Sequence, residues 1–108
     1  MNDQIHHSEV FDFNDKAIYG SNAVVSKRVI QKAAGNITLF AFDEGQELSE
    51  HTTPFDALVQ VIDGEAEILI NGQPYRVGSG KSIIMPANVP HAVRAVKKFR
   101  MLLTMIKE

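Results

Sequence analysis

Ile68-Leu69-Ile70-Asn71-Gly72-Gln73 is the stretch on which the fold turns. Asn-Gly supplies the two positive φ angles of a tight hairpin turn, and the aliphatic residues before it form a strand that must reverse on itself. Outward from this hairpin, short runs rich in Val, Ile, Phe and Leu extend from Ala23 to Ile106, broken at close intervals by Gly, Pro, Asn and Asp. This rhythm predicts an all-β chain with strands over 23–31, 36–42, 57–62, 65–70, 75–77, 82–85, 92–96 and 99–106, and no helix. Gly64, Gly78 and Gly80 mark further turns. Pro86 and Pro90 would interrupt a central strand and belong to a connection or an edge.

Alternation within the strands assigns faces. Glu65 and Glu67 alternate with Ala66 and Ile68, which makes the acids a solvated face rather than a catalytic pair. In the last segment, Phe99, Met101, Leu103 and Met105 share one face, while Leu102 and Ile106 lie on the other. Both faces of that strand require cover. The outer one calls for a second subunit or for the chain's own N-terminal strand, so a homodimer is expected.

The spacing around the hairpin carries the chemistry. Gly45 is followed by five residues, His51, Thr52, Thr53, three residues, Ala57, six residues and Gly64. Further on come Gly80, five residues, Pro86, then Asn88, two residues, His91, three residues and Ala95. In order, these two blocks resemble the two motifs of the cupin family, here those of a small type-2, RmlC-like cupin. The resemblance implies a single jelly-roll barrel (a double-stranded β-helix), with residues 1–22 as an arm or edge strand and 23–108 as the barrel. It also implies a metal site of two histidines and a glutamate from the first motif and one histidine from the second, a set suited to Fe, Mn, Ni or Zn.

This sequence departs from that set. Thr53 stands where the family has the second histidine and Ala57 where it has the glutamate, so only His51 and His91 carry over as ligands. Asn88 replaces a glycine and still tolerates a left-handed backbone, so the turn is expected to survive. Two imidazoles make a weak site, because divalent metals take three or four protein donors. Asp56 is a candidate for the missing carboxylate only if a bulge re-aims it. On a regular strand it faces away from Ala57, and Glu50 and Gln60 have the same parity problem. As isolated residues, His51 and His91 would be read as half-buried polar groups bonded to backbone or water; their fall on two motif positions sets the functional reading level with that one. His6 and His7 fall in a polar N-terminal stretch where solvent exposure is expected.

The expected site is a pocket lined by His51, Thr53, Ala57, Val59, Val61 and His91, the two valines sharing the inward parity of Ala57. A wall of this kind favours apolar or aromatic small molecules. Two further readings stay open: a metal-dependent enzyme of dioxygenase, isomerase or decarboxylase type with His51 and His91 as ligands, and metal-independent acid/base chemistry at His91.

Composition removes other classes. With no cysteine among 108 residues, disulfides, thiolate metal sites and cysteine nucleophiles are absent. A net charge of -2 without a basic cluster argues against nucleic acid as a partner. No window approaches the ~18 consecutive apolar residues of a membrane helix, so no membrane partner is expected. The polar start, Met1 to Glu9, lacks a signal or transit pattern, and a cytoplasmic location is expected.

Overall fold

The computed structural model describes residues 4–107; the first three residues of the expected arm (1–22) and the last of the expected barrel (23–108) lie outside them. The described chain forms a short 3-10 turn, Phe13–Asp15, and strands β1 (Val24–Lys32), β2 (Gly35–Phe42), β3 (Glu47–His51), β4 (Asp56–Asp63), β5 (Glu65–Ile70), β6 (Gln73–Gly78), β7 (Ser82–Met85), β8 (His91–Ala95) and β9 (Phe99–Ile106). They build two antiparallel sheets, ordered β1-β2-β9-β4-β7 and β3-β8-β5-β6, which face one another as a jelly-roll barrel. The hairpin turn has the expected geometry, with φ 52° at Asn71 and 80° at Gly72. Pro86 and Pro90 fall in the β7–β8 connection, and Asn88 adopts a left-handed φ of 63° there.

One strand escaped the sequence rhythm. β3, Glu47-Leu48-Ser49-Glu50-His51, is an edge strand exposed at every residue but Leu48, so it has no apolar run to announce it. Its partner β8 supplies the hydrogen-bonding context that its composition lacks.

Between the sheets the inward residues pack densely. Phe42 and Phe99 are ladder partners with rings stacked 4.6 Å apart, and Val59, Ile68 and Met101 are fully buried beside them. Such a cluster is the main source of stability in a domain this size.

The outer faces differ. On the four-stranded sheet Arg76, Glu67, Arg94 and Glu47 are successive ladder partners, giving a lateral row of alternating charge with N···O distances of 3.4–3.6 Å. That face is built for water, and such exposed pairs add little stability. On the five-stranded sheet Leu39, Ala41, Ile62 and Leu102 are covered by Phe13, Ala17 and Tyr19 of the chain's own N-terminal segment. Of the two covers expected for Leu102, the chain supplies one itself, as coil and a 3-10 turn instead of a strand. Arg100 fastens it: Nε donates to the Ala17 carbonyl at 2.7 Å, Nη1 meets Asp63 Oδ2 at 3.0 Å, and the guanidinium lies 4.3 Å from the Tyr19 ring centre. Ile106 remains 61% exposed. No helix among the described residues is long and apolar enough to cross a membrane.

Candidate functional site

A β-bulge creates the site. In the β3–β8 ladder Leu48 pairs with Val93 and His51 with His91, so three steps on β3 match two on β8. Leu48 packs against the interior; on a regular strand His51, at odd spacing from it, would face outward. The extra residue reverses that parity and brings His51 beside His91. The ring centres are 4.4 Å apart and inclined at 69°, and the two Nε2 atoms are separated by 3.2 Å. His91 is only 3% exposed, whereas His51 stands at the surface.

Backbone carbonyls set the orientation of both rings. His51 Nδ1 donates to Ser49 O at 2.9 Å and His91 Nδ1 to Val89 O at 3.2 Å. A carbonyl oxygen only accepts, so both Nδ1 atoms carry hydrogen, and in neutral rings the Nε2 atoms meet lone pair to lone pair. One hydrogen or cation placed between them relieves that contact. Burial holds the His91 pKa below its ordinary value; the Val89 carbonyl opposes this, and charge on His51 reinforces it. His91 is therefore held neutral at pH 7, its Nε2 lone pair aimed at His51.

The cupin domain family matches residues 38–107, which include both histidines, the bulge and the strands from within β2 through β9. The chain is a cupin. A conserved protein of unknown function from Streptococcus pyogenes shares 39% identity, with a TM-score of 0.92 over 97% of this chain and 92% of that one. A cupin 2 conserved barrel domain protein from Leptotrichia buccalis is 38% identical, with a TM-score of 0.87 over 90% of this chain; the match spans about half, 47%, of the Leptotrichia chain. A cupin superfamily protein from Desulfitobacterium hafniense, 24% identical, has a TM-score of 0.89 over 97% of this chain and 96% of that one. No curated protein matches.

The other residues expected at this cupin's site lie as follows. Ala57 faces inward on β4, 1% exposed, with Met85 and Met105 as ladder neighbours. Val59 and Val61 also point inward, but at 0% and 3% exposure they belong to the packed interior with Phe42, Phe99 and Met101. The expected open wall is corrected at these two positions: aromatic and methionine side chains from β2 and β9 fill the barrel at their level. Thr53 is not on a strand, so strand parity does not carry from His51 to it. It sits in the β3–β4 connection, its hydroxyl turned to the backbone of Phe55 at 3.4 and 3.5 Å and its carbonyl accepting from Asn88 N at 2.7 Å. Inward residues that keep accessible surface include Ile70, the ladder partner of His91, and Leu103 and Met105 on β9. Alternation in the sequence assigned the faces of Leu103 and Met105, and all three were passed over as candidates. The signal was the shared parity of Leu103 and Met105 with Phe99. A cleft of about 660 Å³ lies outside the barrel along Pro54, Asp56, Ala87, Ile106 and Lys107, and neither histidine lines it.

The donor set can be tested against a resident metal. Tetrahedral M–N bonds of about 2.0–2.1 Å place two nitrogens ~3.3–3.4 Å apart, so the Nε2 pair has a suitable bite. The remaining donors are lacking. Ala57 offers a methyl group, the Thr53 hydroxyl is turned to Phe55, and the Asp56 carboxylate accepts from Ala87 N at 2.9 Å. Glu50, Gln60, His6 and His7 are exposed. Among the described residues no three His, Cys, Asp or Glu side chains converge. The residues present do not fit a tightly held divalent cation.

Proposed function

We propose that this cupin is a small-molecule binding protein whose recognition point is the His51–His91 pair. The observation that carries the reading is the approach of two Nε2 acceptors to 3.2 Å beside half-buried Ile70, the ladder partner of His91, with no third metal donor among the described residues. A ligand hydroxyl entering past the exposed His51 supplies the hydrogen that the facing lone pairs lack, and its apolar or aromatic body covers the half-buried aliphatic surface. Ni, Zn, Mn or Fe would be held by the same two nitrogens only loosely. A metal-enzyme reading requires a third donor, and among the described residues none converges on the pair.

The test combines elemental analysis of protein purified without a histidine tag with imidazole NMR titrations by phenol and, as the control lacking a hydroxyl, benzene. Phenol is expected to shift both Nε2 signals, and His51→Phe and His91→Phe each to abolish the response. Stoichiometric metal in the purified protein, or equal responses to phenol and benzene, would overturn the proposal.

A further inference from the structure

Two edge strands, β1 and β3, each carry a bulge. The one in β3 sets Leu48 and His51 on the same face. The one in β1, between Arg28 and Ile30, does the same for Arg28 and Gln31, which pair with Thr38 and Asn36. Ladder partners share a face of the sheet. Thr38 leads on to Leu103 and buried Val59, and Asn36 to Met105 and buried Ala57, so Arg28 and Gln31 belong to the inner face. Ile30 points the other way, into the aliphatic row of Ile37, Thr104, Leu58 and Ile84 on the outer face.

This polar corner and the histidine pair stand at the same end of the barrel. One connection joins His51 to β4, which opens at Asp56 and Ala57, and another joins Met85 to His91. Ala57 and Met85 are ladder partners and lie in the row of Gln31, Asn36 and Met105. The corner therefore occupies one sheet at the barrel mouth and the two imidazoles the facing sheet.

Arg28 differs from the other arginines. Arg76, Arg94 and Arg100 each meet a carboxylate, whereas among the described residues none pairs with Arg28. Its Nη1 donates to Gln31 Oε1, and the remaining guanidinium donors stay open. Thr38, 9% exposed, donates its hydroxyl to Asn36 Oδ1 at 3.3 Å, which leaves the Asn36 amide hydrogens as donors. A charge that only guarded an edge strand against pairing would serve on either face. Here it is turned inward, beside two amides and a hydroxyl.

We propose that Arg28 and Asn36 form an anion subsite for a ligand carboxylate, across the barrel mouth from the histidines that take the ligand hydroxyl. It rests on the hydroxyl-binding role proposed above for His51 and His91, and it narrows the ligand to a small hydroxycarboxylic acid. The planar guanidinium fork takes both carboxylate oxygens, and the Asn36 amide donates to one of them. Facing sheets lie about 10 Å apart and both sets of side chains project inward, so one aromatic ring or a short chain spans the remaining gap. Leu103 and Met105, half-buried beside Thr38 and Asn36, cover that body.

Calorimetry at neutral pH with phenol, benzoate, 3-hydroxybenzoate and 4-hydroxybenzoate is the test. At least one hydroxybenzoate should bind about tenfold or more tightly than phenol, because charge-assisted hydrogen bonds are added. Arg28→Gln should remove this advantage and leave phenol binding unchanged, and Arg28→Lys should restore part of it. Arg28 is exposed, so these substitutions leave the packed core untouched. Arg76→Gln removes the same charge from the outer face of the other sheet and should change nothing. The subsite is overturned if no hydroxybenzoate binds tighter than phenol, if Arg28→Gln keeps the full advantage, or if Arg76→Gln loses as much. In each of those cases a phenol shift at both Nε2 atoms leaves the histidine reading standing. If phenol and benzene act alike, the histidine reading falls; benzoate binding that Arg28→Gln abolishes then upholds the anion subsite, and benzoate binding that is absent or indifferent to Arg28→Gln overturns it too.

Discussion

Ala57 is one methyl group, 1% exposed, at the position where a carboxylate would turn a pair of imidazoles into a metal site. Ala57→Glu is expected to destabilise the metal-free protein, because a carboxylate is buried without a partner, and to recover stability on adding Ni or Zn. A donor worth even ~2 kcal/mol tightens binding roughly thirtyfold, which calorimetry on both proteins would read. Adding Thr53→His should tighten it further only if the β3–β4 connection releases residue 53 from its turn with Phe55. Two glycines offer a second contrast at this scale. Gly64 and Gly72 both have positive φ, 85° and 80°, but a Cβ at Gly64 would collide with the Lys98 carbonyl and crowd Phe99, whereas one at Gly72 meets nothing. Gly72→Ala should cost about 1 kcal/mol for the backbone alone, and Gly64→Ala distinctly more, measured by urea unfolding.

At the level of strands and turns, the bulge in β3 decides where His51 points. Deleting Glu50 would leave the histidine two steps from Leu48 in a regular ladder, still facing inward opposite His91, so a folded deletion variant should keep the phenol response of both imidazoles, and its loss would show that the bulge geometry itself is needed. The N-terminal segment makes a separate prediction. Tyr19 has its pKa pushed up to about 12, chiefly by burial and then by Asp63, whose Oδ1 accepts from the phenol at 3.2 Å. The folded state thus holds the phenolic proton more tightly than the unfolded state. The contribution is complete below pH 10 and disappears as pH rises through about 12. Tyr19→Phe should cost about 1 kcal/mol at neutral pH and lose less stability than the native chain above pH 10, as read by thermal unfolding. These two elements also show where legibility ended. Strands rich in Val, Ile and Leu, and the Asn71-Gly72 turn, declared themselves through periodicity. β3 did not, because an edge strand takes its structure from a neighbour. The motif spacing located His51 and His91, but parity could not foresee the bulge that pairs them, nor that Thr53 would leave the strand. Val59 and Val61 were assigned the right face and the wrong surroundings, since a period of two says which way a side chain points and not whether Phe99 and Met101 already fill the space.

On the scale of the whole barrel, two sheets with opposite outer characters enclose one core, a charged row on one side and an aliphatic row on the other. The broad class, all-β with two alternating-face sheets, was legible from local pattern, while strand order was not, because it depends on pairings far apart in sequence. That order has one more consequence. β9 occupies the middle of the five-stranded sheet, between β2 and β4, and supplies Phe99 and Met101 to the core. During synthesis, β2 and β4 must therefore wait with open edges until residues through Ile106 have left the ribosome exit tunnel. Nascent chains stalled with β9 still inside should be cut readily by protease and bind holding chaperones, and chains stalled some tens of residues later should resist, so that translation of this barrel ends in a single late folding event.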